Sequence, residues 1–344
     1  MAVVVMTDDG IAFDGTTPER SPLGGAEAAF LTVAEALAAR GHRVMVRNRC
    51  AAPLTHNGVD WAPLDGGLPD ACDLYIANRG HRLIGLIPTA RRRLFWLHNP
   101  GTYLRKWRYV RELWRHRPII VTTGRYHAST VPRWMPSGGR VSIPYAMPDE
   151  FRHATAHTEA PPPRAIFSSN PLRGLDWLLD LWEQRIHPAL PQAELHLYCG
   201  PGVYGAVGDR KGEAMRAVLA HADELAAKGV RRFAPLPRGA LIEALAQSRV
   251  MLYRGDLGET FCLAVAEAQA LGVPAVVQAL GSLPERVQDG VTGFVANDDA
   301  SFARHAIALL SDDALWRNQH EAALRLQRGL SSEEVAQHFE ALMA

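Results

Sequence analysis

Nothing in this sequence supplies a covalent or metallic staple. The four cysteines, Cys50, Cys72, Cys199 and Cys262, lie far apart and none stands in a C-x-x-C pair. Such spacing argues against a disulfide framework and against a zinc site, and it suits a reducing cytoplasm. Long apolar runs are missing as well. None approaches the roughly 18 residues that a membrane-spanning helix needs. Met1–Met6 lacks a charged start and a long apolar stretch, so it reads as a short buried strand and not as a secretion signal. Charge of one sign is equally scarce: 37 Lys and Arg against 36 Asp and Glu leave a formal net charge of +1. A general nucleic-acid binder carries a clear basic excess, so that class is disfavoured. Short-period repeats and low-complexity segments are also lacking.

What is present is a globular composition, 47% apolar and 21% charged over 344 residues, enough for two domains with a core each. Strand and helix patterns alternate in two runs. AVVVM (2–6) is a continuous apolar run, as in a strand covered on both faces. Gly24-Gly25 opens AEAAFLTVAEALAAR, where Ala and Leu recur at helical spacing. HRVMVRNR, DLYIAN (73–78), RLFWLH (93–98), PIIVTT (118–123) and RVSIPYA (140–146) follow as strands. A polar stretch then ends in Pro161-Pro162-Pro163 and predicts a linker. Beyond it RAIFSS (164–169), ELHLYCG (194–200), VRRFAPL, RVMLYR, PAVVQAL and TGFVAN read as strands separated by helices, and the tail from Ala300 is mostly helical. The pattern predicts an α/β chain of two Rossmann-like, doubly wound parallel-sheet domains facing across a cleft. The expected bounds are 1–150, a linker at 151–163, a second domain at 164–325, and a helix at 326–344 able to pack back on the first domain.

The chemistry concentrates in GETFCLAVAEAQALGVPAVV, which begins at Gly258. Glu259 falls in a loop after the strand RVMLYR, and Glu267 about one turn into the next helix. Both carboxylates can face the carboxyl ends of the strands, where open α/β sheets bind ligands. Amides near Cys262 and Leu263 fall at the helix N-terminus, which attracts phosphate through free donors and the helix dipole. Ala264, Ala266, Ala268 and Ala270 let that helix lie close to its neighbours. A nucleotide-sugar calls for this set: donors for its diphosphate, a carboxylate for the ribose hydroxyls, and a second acceptor for the sugar hydroxyls. Two glutamates eight positions apart would, taken alone, read as solvated carboxylates.

This segment, Glu-x7-Glu continued by Leu-Gly-Val-Pro-Ala-Val, resembles the signature of the GT-B fold, family 4 type of retaining glycosyltransferases. The resemblance runs over nearly the whole chain. LGGAEAAFLTVAEALAARGHRVMV (23–46) resembles that family's Gly-Gly-x-Glu loop and helix, VSIPYAMPDEF (141–151) the stretch before its linker, and GSLPERVQDGVTGFVAND (281–298) its Gly-x-x-Pro-Glu-x-Val region. It implies that Glu267 binds ribose hydroxyls, that Glu259 binds hydroxyls of the transferred sugar, and that amides around Phe261, Cys262 and Leu263 hold sugar and phosphate. Gly24 and Gly25 would approach the phosphates or the acceptor closely. His98 would line the sugar site, and Arg173 would meet the diphosphate as a bidentate donor. His98, Glu259 and Arg173 are the residues it makes catalytic. Base contacts are expected from backbone near Cys199–Pro201 and Phe233–Leu236.

The resemblance has gaps. Ser168 stands where the family carries a further Arg, with Arg254 a candidate replacement. Cys262 replaces a usual Gly or Ser, and Tyr145-Ala146 lacks a usual Gly. The implied reaction is front-face transfer with retention, from a UDP- or GDP-sugar to a hydroxyl acceptor, polysaccharide or lipid-linked, in bacterial polysaccharide, glycolipid or glycoconjugate synthesis. No cofactor and no metal are expected, since Asp8-Asp9 and Asp298-Asp299 do not stand in a strand-end D-x-D context; the latter pair reads as a helix cap.

Plainer readings stand beside these. His98 alone reads as a packed histidine, Arg173 as a surface cation at a helix start, Gly24-Gly25 as a turn, and Cys262 as a small packed residue. In YLRKWRYVRELWRHR (103–117), Trp107, Val110 and Trp114 share one helix face and Arg108, Arg111 and Arg115 another. That is either an ordinary amphipathic helix on the sheet or an interfacial helix that reaches anionic lipid or an anionic acceptor at the inner face of the membrane. Two other functions remain open: a non-catalytic sugar-nucleotide-binding protein, which the loss of Arg at 168 favours, and a nucleotide-sugar epimerase of the same fold.

Overall fold

The computed structural model describes residues 1–21, 23–153, 155, 159–200 and 212–344. The chain divides into two compact units, Met1–Ala146 with Leu330–Ala344, and Met147–Gly329. The division precedes the proline stretch expected to be the linker. Met147 and Phe151 are buried in the second unit's apolar core, so the chain has joined that core well before Pro161.

The first unit is built on β1 (Val3–Asp8), β2 (Arg43–Asn48), β3 (Leu54–His56), β4 (Val59–Pro63), β5 (Leu74–Asn78), β6 (Arg92–Trp96), β7 (Ile119–Thr122) and β8 (Gly139–Ser142), in the order β3-β4-β2-β1-β5-β6-β7-β8. Pairing is parallel except for β3 against β4. Val4, Val5 and Met6 in β1 and Leu74–Ala77 in β5 are fully buried, as central parallel strands require. Periodicity assigns no element to residues 54–63. The edge hairpin there turns on Asn57 and Gly58, at φ 48° and 75°, and an Asn-Gly pair is the strongest local signal for such a turn.

Helix α1 (Gly25–Ala39) buries Phe30, Leu31, Val33, Ala34 and Leu37. The terminal helix Ser332–Glu340 returns to this unit and packs on α1. Arg40 Nε lies 2.6 Å from Glu340 Oε1, and His42 Nε2 lies 2.7 Å from the same oxygen. Phe339 is fully buried, edge to face with Trp96 at 5.1 Å between centroids. Helix α2 (Trp107–His116) buries Leu113, which leaves Trp107 and Trp114 75% and 69% exposed. The two tryptophans therefore do not pack on the sheet, although Val110 on the same face packs against the first unit's core.

The second unit carries β9 (Arg164–Phe167), β10 (Glu194–Tyr198), β11 (Val230–Phe233), β12 (Val250–Tyr253), β13 (Ala275–Gln278) and β14 (Gly293–Ala296), all parallel, in the order β11-β10-β9-β12-β13-β14. Helices α3 (Leu175–Leu181), α4 (Leu263–Ala270) and α5 (Asp299–Ser311) belong to it. Asp298 caps α5 through a reciprocal bond with Ser301, the capping role read from the Asp298-Asp299 pair.

Phe339→Ala removes the ring that abuts Trp96. It is expected to lower the unfolding free energy of the first unit by about 3–5 kcal/mol, read as a lower urea midpoint at an unchanged slope.

Candidate functional site

Parallel pairing sets the carboxyl ends of β9 and β12 side by side, and the candidate residues of the second unit lie just beyond them. After Tyr253 the chain turns through Asp256, whose carbonyl accepts from Glu259 N–H at 3.1 Å and whose Oδ1 accepts from Gly258 N–H at 2.6 Å. The segment from Gly281 docks on this turn. Gly281 has φ +59°, a Cβ there would sit 2.6 Å from the Glu259 carbonyl, and Ser282 N–H donates to that carbonyl at 3.0 Å. Only glycine fits such an approach, which gives the first glycine of the Gly-x-x-Pro-Glu stretch a physical reason.

Glu259 is 6% exposed. Its Oε1 lies 2.5 Å from Arg173 Nη1 and also accepts from the Tyr253 hydroxyl. Burial opposes the charge on Arg173, but Glu259, Tyr253 and Asp256 outweigh it and hold the guanidinium more firmly protonated than usual. The two residues expected to act separately are thus an ion pair, and Tyr253 is a third member that spacing did not reveal. The Arg173 side chain remains 31% exposed.

Cys262 caps α4 in the left-handed region, at φ 62° and ψ 75°. That geometry costs a residue with a Cβ about 1–2 kcal/mol, which is why a glycine suits this place. The helix forms regardless. Its ladder starts with Ala266 N–H on the Cys262 carbonyl at 3.1 Å, so the amides of Leu263, Ala264 and Val265 precede it. The Cys262 thiol is buried, which pushes its pKa well above the ordinary value and keeps it unreactive. Glu267, the fifth residue of α4, is partly covered, and its carboxylate has no hydrogen bond or ion pair among the described residues. Burial pushes its pKa up to about 7, with Arg238 opposing.

Ser168 Oγ is buried without a partner. Arg254, the candidate substitute for a cation there, is engaged elsewhere: its Nε donates to Gln278 at 3.1 Å and its guanidinium lies 5.3 Å over Trp177. Of the expected base contacts, Pro201 lies outside the described residues. Phe233, 41% exposed, stacks on Tyr198 at 4.9 Å.

In the first unit, polar groups gather at the carboxyl ends of β1, β5 and β6. Arg79, at φ 48°, pairs with Asp8 Oδ2 at 2.9 Å and with Glu27 Oε1 at 2.7 Å. Burial works against its charge, but the two carboxylates raise its pKa overall. A Cβ on Gly24 would meet Glu27 Oε2 at 2.6 Å, so Gly24 clears room for this cluster, and Gly25 opens α1. The Asn78 amide donates to Asp8, which turns its Oδ1 toward His98. His98 Nε2–H donates to that oxygen at 2.5 Å, and the Tyr145 hydroxyl donates to Nδ1 at 2.5 Å; the tautomer follows from these partners. Burial, Arg79 and His127 hold His98 well below its ordinary pKa, hence neutral. Only His98, Gly24 and Gly25 of this cluster were predictable from motifs. The other signal was polar residues, Asp8 and Asn78-Arg79, closing otherwise apolar strands.

Residues 164–312 match a family described as Glycosyl transferases group 1. N-acetyl-alpha-D-glucosaminyl L-malate synthase of Bacillus anthracis is 36% identical over 103 residues, 29% of this chain and 27% of that protein. D-inositol 3-phosphate glycosyltransferase of Kribbella flavida is 32% identical over 141 residues, 39% of this chain and 33% of that protein. The chain thus matches a third or less of the length of these relatives. Among solved structures, sucrose-phosphate synthase of Thermosynechococcus elongatus has a TM-score of 0.75 at 17% identity, covering 99% of this chain and 98% of that one. HepE of Anabaena in complex with UDP-glucose has a TM-score of 0.73 at 16% identity, covering 99% of both chains. These likenesses show the GT-B fold.

Raising the Glu267 pKa in the folded state means that the folded protein holds this proton more tightly than the unfolded chain. The penalty is absent below about pH 4.5, grows as pH rises toward about 7, and is complete above it. Glu267→Gln is expected to equal the ligand-free parent near pH 4 and to exceed its stability at pH 8 by on the order of 2 kcal/mol, measured by urea unfolding at both pH values.

Proposed function

We propose that this chain, a GT-B protein whose residues 164–312 belong to the glycosyl transferases group 1, moves a sugar from a nucleotide-sugar donor to a hydroxyl acceptor. The carrying observation is the loop and helix after β12, where Glu259 pairs with Arg173 from the segment after β9 and α4 carries Glu267, whose carboxylate has no partner among the described residues. Glu267 accepts from the vicinal ribose hydroxyls and Glu259 from hydroxyls of the transferred sugar. Arg173 and the first amides of α4 take the diphosphate, and no metal is required for that neutralisation. Electrostatic stabilisation of the departing diphosphate is the main rate effect. The departing phosphate takes the acceptor's proton on the face it leaves, so configuration is retained. His98 is neutral, with Nε2 engaged by Asn78 and Nδ1 by Tyr145, and does not act as a general base. UDP-sugars come first among donors because a solved relative in fold is bound to UDP-glucose, and GDP-sugars follow.

Incubation of the protein with UDP-, GDP- and ADP-sugars, without acceptor, tests this reading. Slow release of the free nucleoside diphosphate is expected. Tight binding without release would mark a sensor, and conversion of the sugar on an intact donor would mark an epimerase. Glu267→Ala is expected to weaken donor binding about tenfold or more, and His98→Ala to lower turnover. Full transfer by the Glu259→Ala/Glu267→Ala double variant would sink the assignment.

We further propose that α2 touches anionic lipid. Trp107 and Trp114 are exposed, and so are Arg105, Lys106, Arg108, Arg111 and Arg115 around them. No helix among the described residues is long and apolar enough to cross a membrane. Co-sedimentation with vesicles rich in phosphatidylglycerol is expected at low salt. It should weaken at high salt and in Trp107→Ser/Trp114→Ser, and equal recovery with neutral vesicles refutes the contact.

A further inference from the structure

Among the described residues, Arg286 is the one half-buried arginine of the second unit whose guanidinium has no acceptor. Arg286 ends the turn from Gly281 that docks on the Glu259 loop, with Leu283 buried beneath it. Its guanidinium carbon lies 4.3 Å from the centre of the Phe261 ring, next to the cap of α4. The Nε is buried without a hydrogen-bond partner, and the residue makes no ion pair among the described residues.

Arg152 and Arg164 also have a buried Nε without a partner, but their other nitrogens meet Asp149 and Gln247, and the more deeply buried arginines are satisfied. Arg47 donates to the carbonyls of Gly67, Val46 and Asp60, Arg79 meets Asp8 and Glu27, and Arg249 meets the Leu309 carbonyl and Asp313. An enclosed cation without an acceptor is costly, and arginine cannot escape by shedding its proton. The position adds to the cost, because a helix N-terminus repels a cation unless an anion lies between them. Burial accordingly lowers the Arg286 pKa, with only Glu285 and Cys262 opposing. Arg286 lies over Phe261 and Arg173 pairs with Glu259, so the two cations meet the same short loop before α4.

We propose that Arg286 is the second cation of the diphosphate site and makes good the charge missing at Ser168. The proposal rests on the nucleotide-sugar reading above. Arg254 does not fill this role, being held by Gln278 and Trp177. Arg173 and Arg286 then bracket the diphosphate from two sides of the α4 N-terminus, and the ring of Phe261 orients the Arg286 fork.

Calorimetric titration with UDP and GDP, and with uridine and guanosine as controls, tests it on the parent, Arg286→Gln and Arg286→Lys. Arg286→Gln is expected to weaken the diphosphate about tenfold or more and to leave the nucleoside unchanged. A residue that only packs on Phe261 would weaken both alike or neither, and either outcome overturns the proposal. Should Arg286→Gln fail to fold, Arg286→Lys decides: a several-fold loss confined to the diphosphate is expected, and undiminished affinity overturns the proposal. A parent that binds no nucleoside diphosphate overturns the nucleotide-sugar reading and this proposal together, which separates the two failures.

Discussion

A sheet of parallel strands covered on both faces leaves its polar side chains one place to go, the ends of the strands. Both units obey this constraint. In the first, Asp8 ends β1, Asn78 ends β5 and His98 follows β6. In the second, Ser168 follows β9, and Tyr253 ends β12 ahead of Glu259. A carboxylate placed at such an end is shielded from water and needs a cation from a neighbouring segment. Asp8 has Arg79, and Glu259 has Arg173. Removing one member of such a pair leaves an uncompensated buried charge, typically about 3–5 kcal/mol, so each cluster is fixed as a set.

Glu267 stands outside that rule, as does Arg286. Neither side chain has a hydrogen-bond or ion-pair partner among the described residues; Glu267 lies on α4, Arg286 lies over Phe261 next to its cap, and the cap, Cys262, is itself in a left-handed conformation. Three departures from local stability on or beside one helix are the pattern of a functional site. A ligand that binds only the folded state and satisfies these groups would raise its stability in proportion to its affinity. The raised pKa of Glu267 is the measurable trace of that unmet demand.

The order of strands and helices was legible because each central strand is an apolar run and each helix keeps its period. The placement of Glu259 in a loop and Glu267 on the next helix was legible because both lie within one short segment, where spacing reports geometry directly. The Arg173–Glu259 pair was not, because it joins the segment after β9 to the segment after β12, and only the pairing of those strands makes them neighbours. Arg286 was hidden in a motif position that spacing leaves unspecified. The tryptophan face of α2 could be drawn from the sequence, but which face is buried depends on Leu113 and the layer beneath it. The conspicuous prolines put the expected linker at 151–163, whereas Met147 and Phe151 already belong to the second unit's core.

The Arg173–Glu259 pair also constrains how a donor would enter. In the ligand-free protein Glu259 Oε1 is shared between Arg173 and the Tyr253 hydroxyl. A diphosphate that draws the Arg173 fork away leaves Glu259 with Tyr253 and an unmet acceptor, which a sugar hydroxyl can fill. Binding of the two halves of a nucleotide-sugar is then coupled: phosphate recruits the cation, and the released carboxylate recruits the sugar. A nucleoside diphosphate alone would strand Glu259 with a partial partner, and a free sugar would meet a carboxylate already taken. On the proposed reading, an intact nucleotide-sugar would satisfy Arg173, Glu259 and Glu267 together, and that preference would follow from the ion pair between the first two.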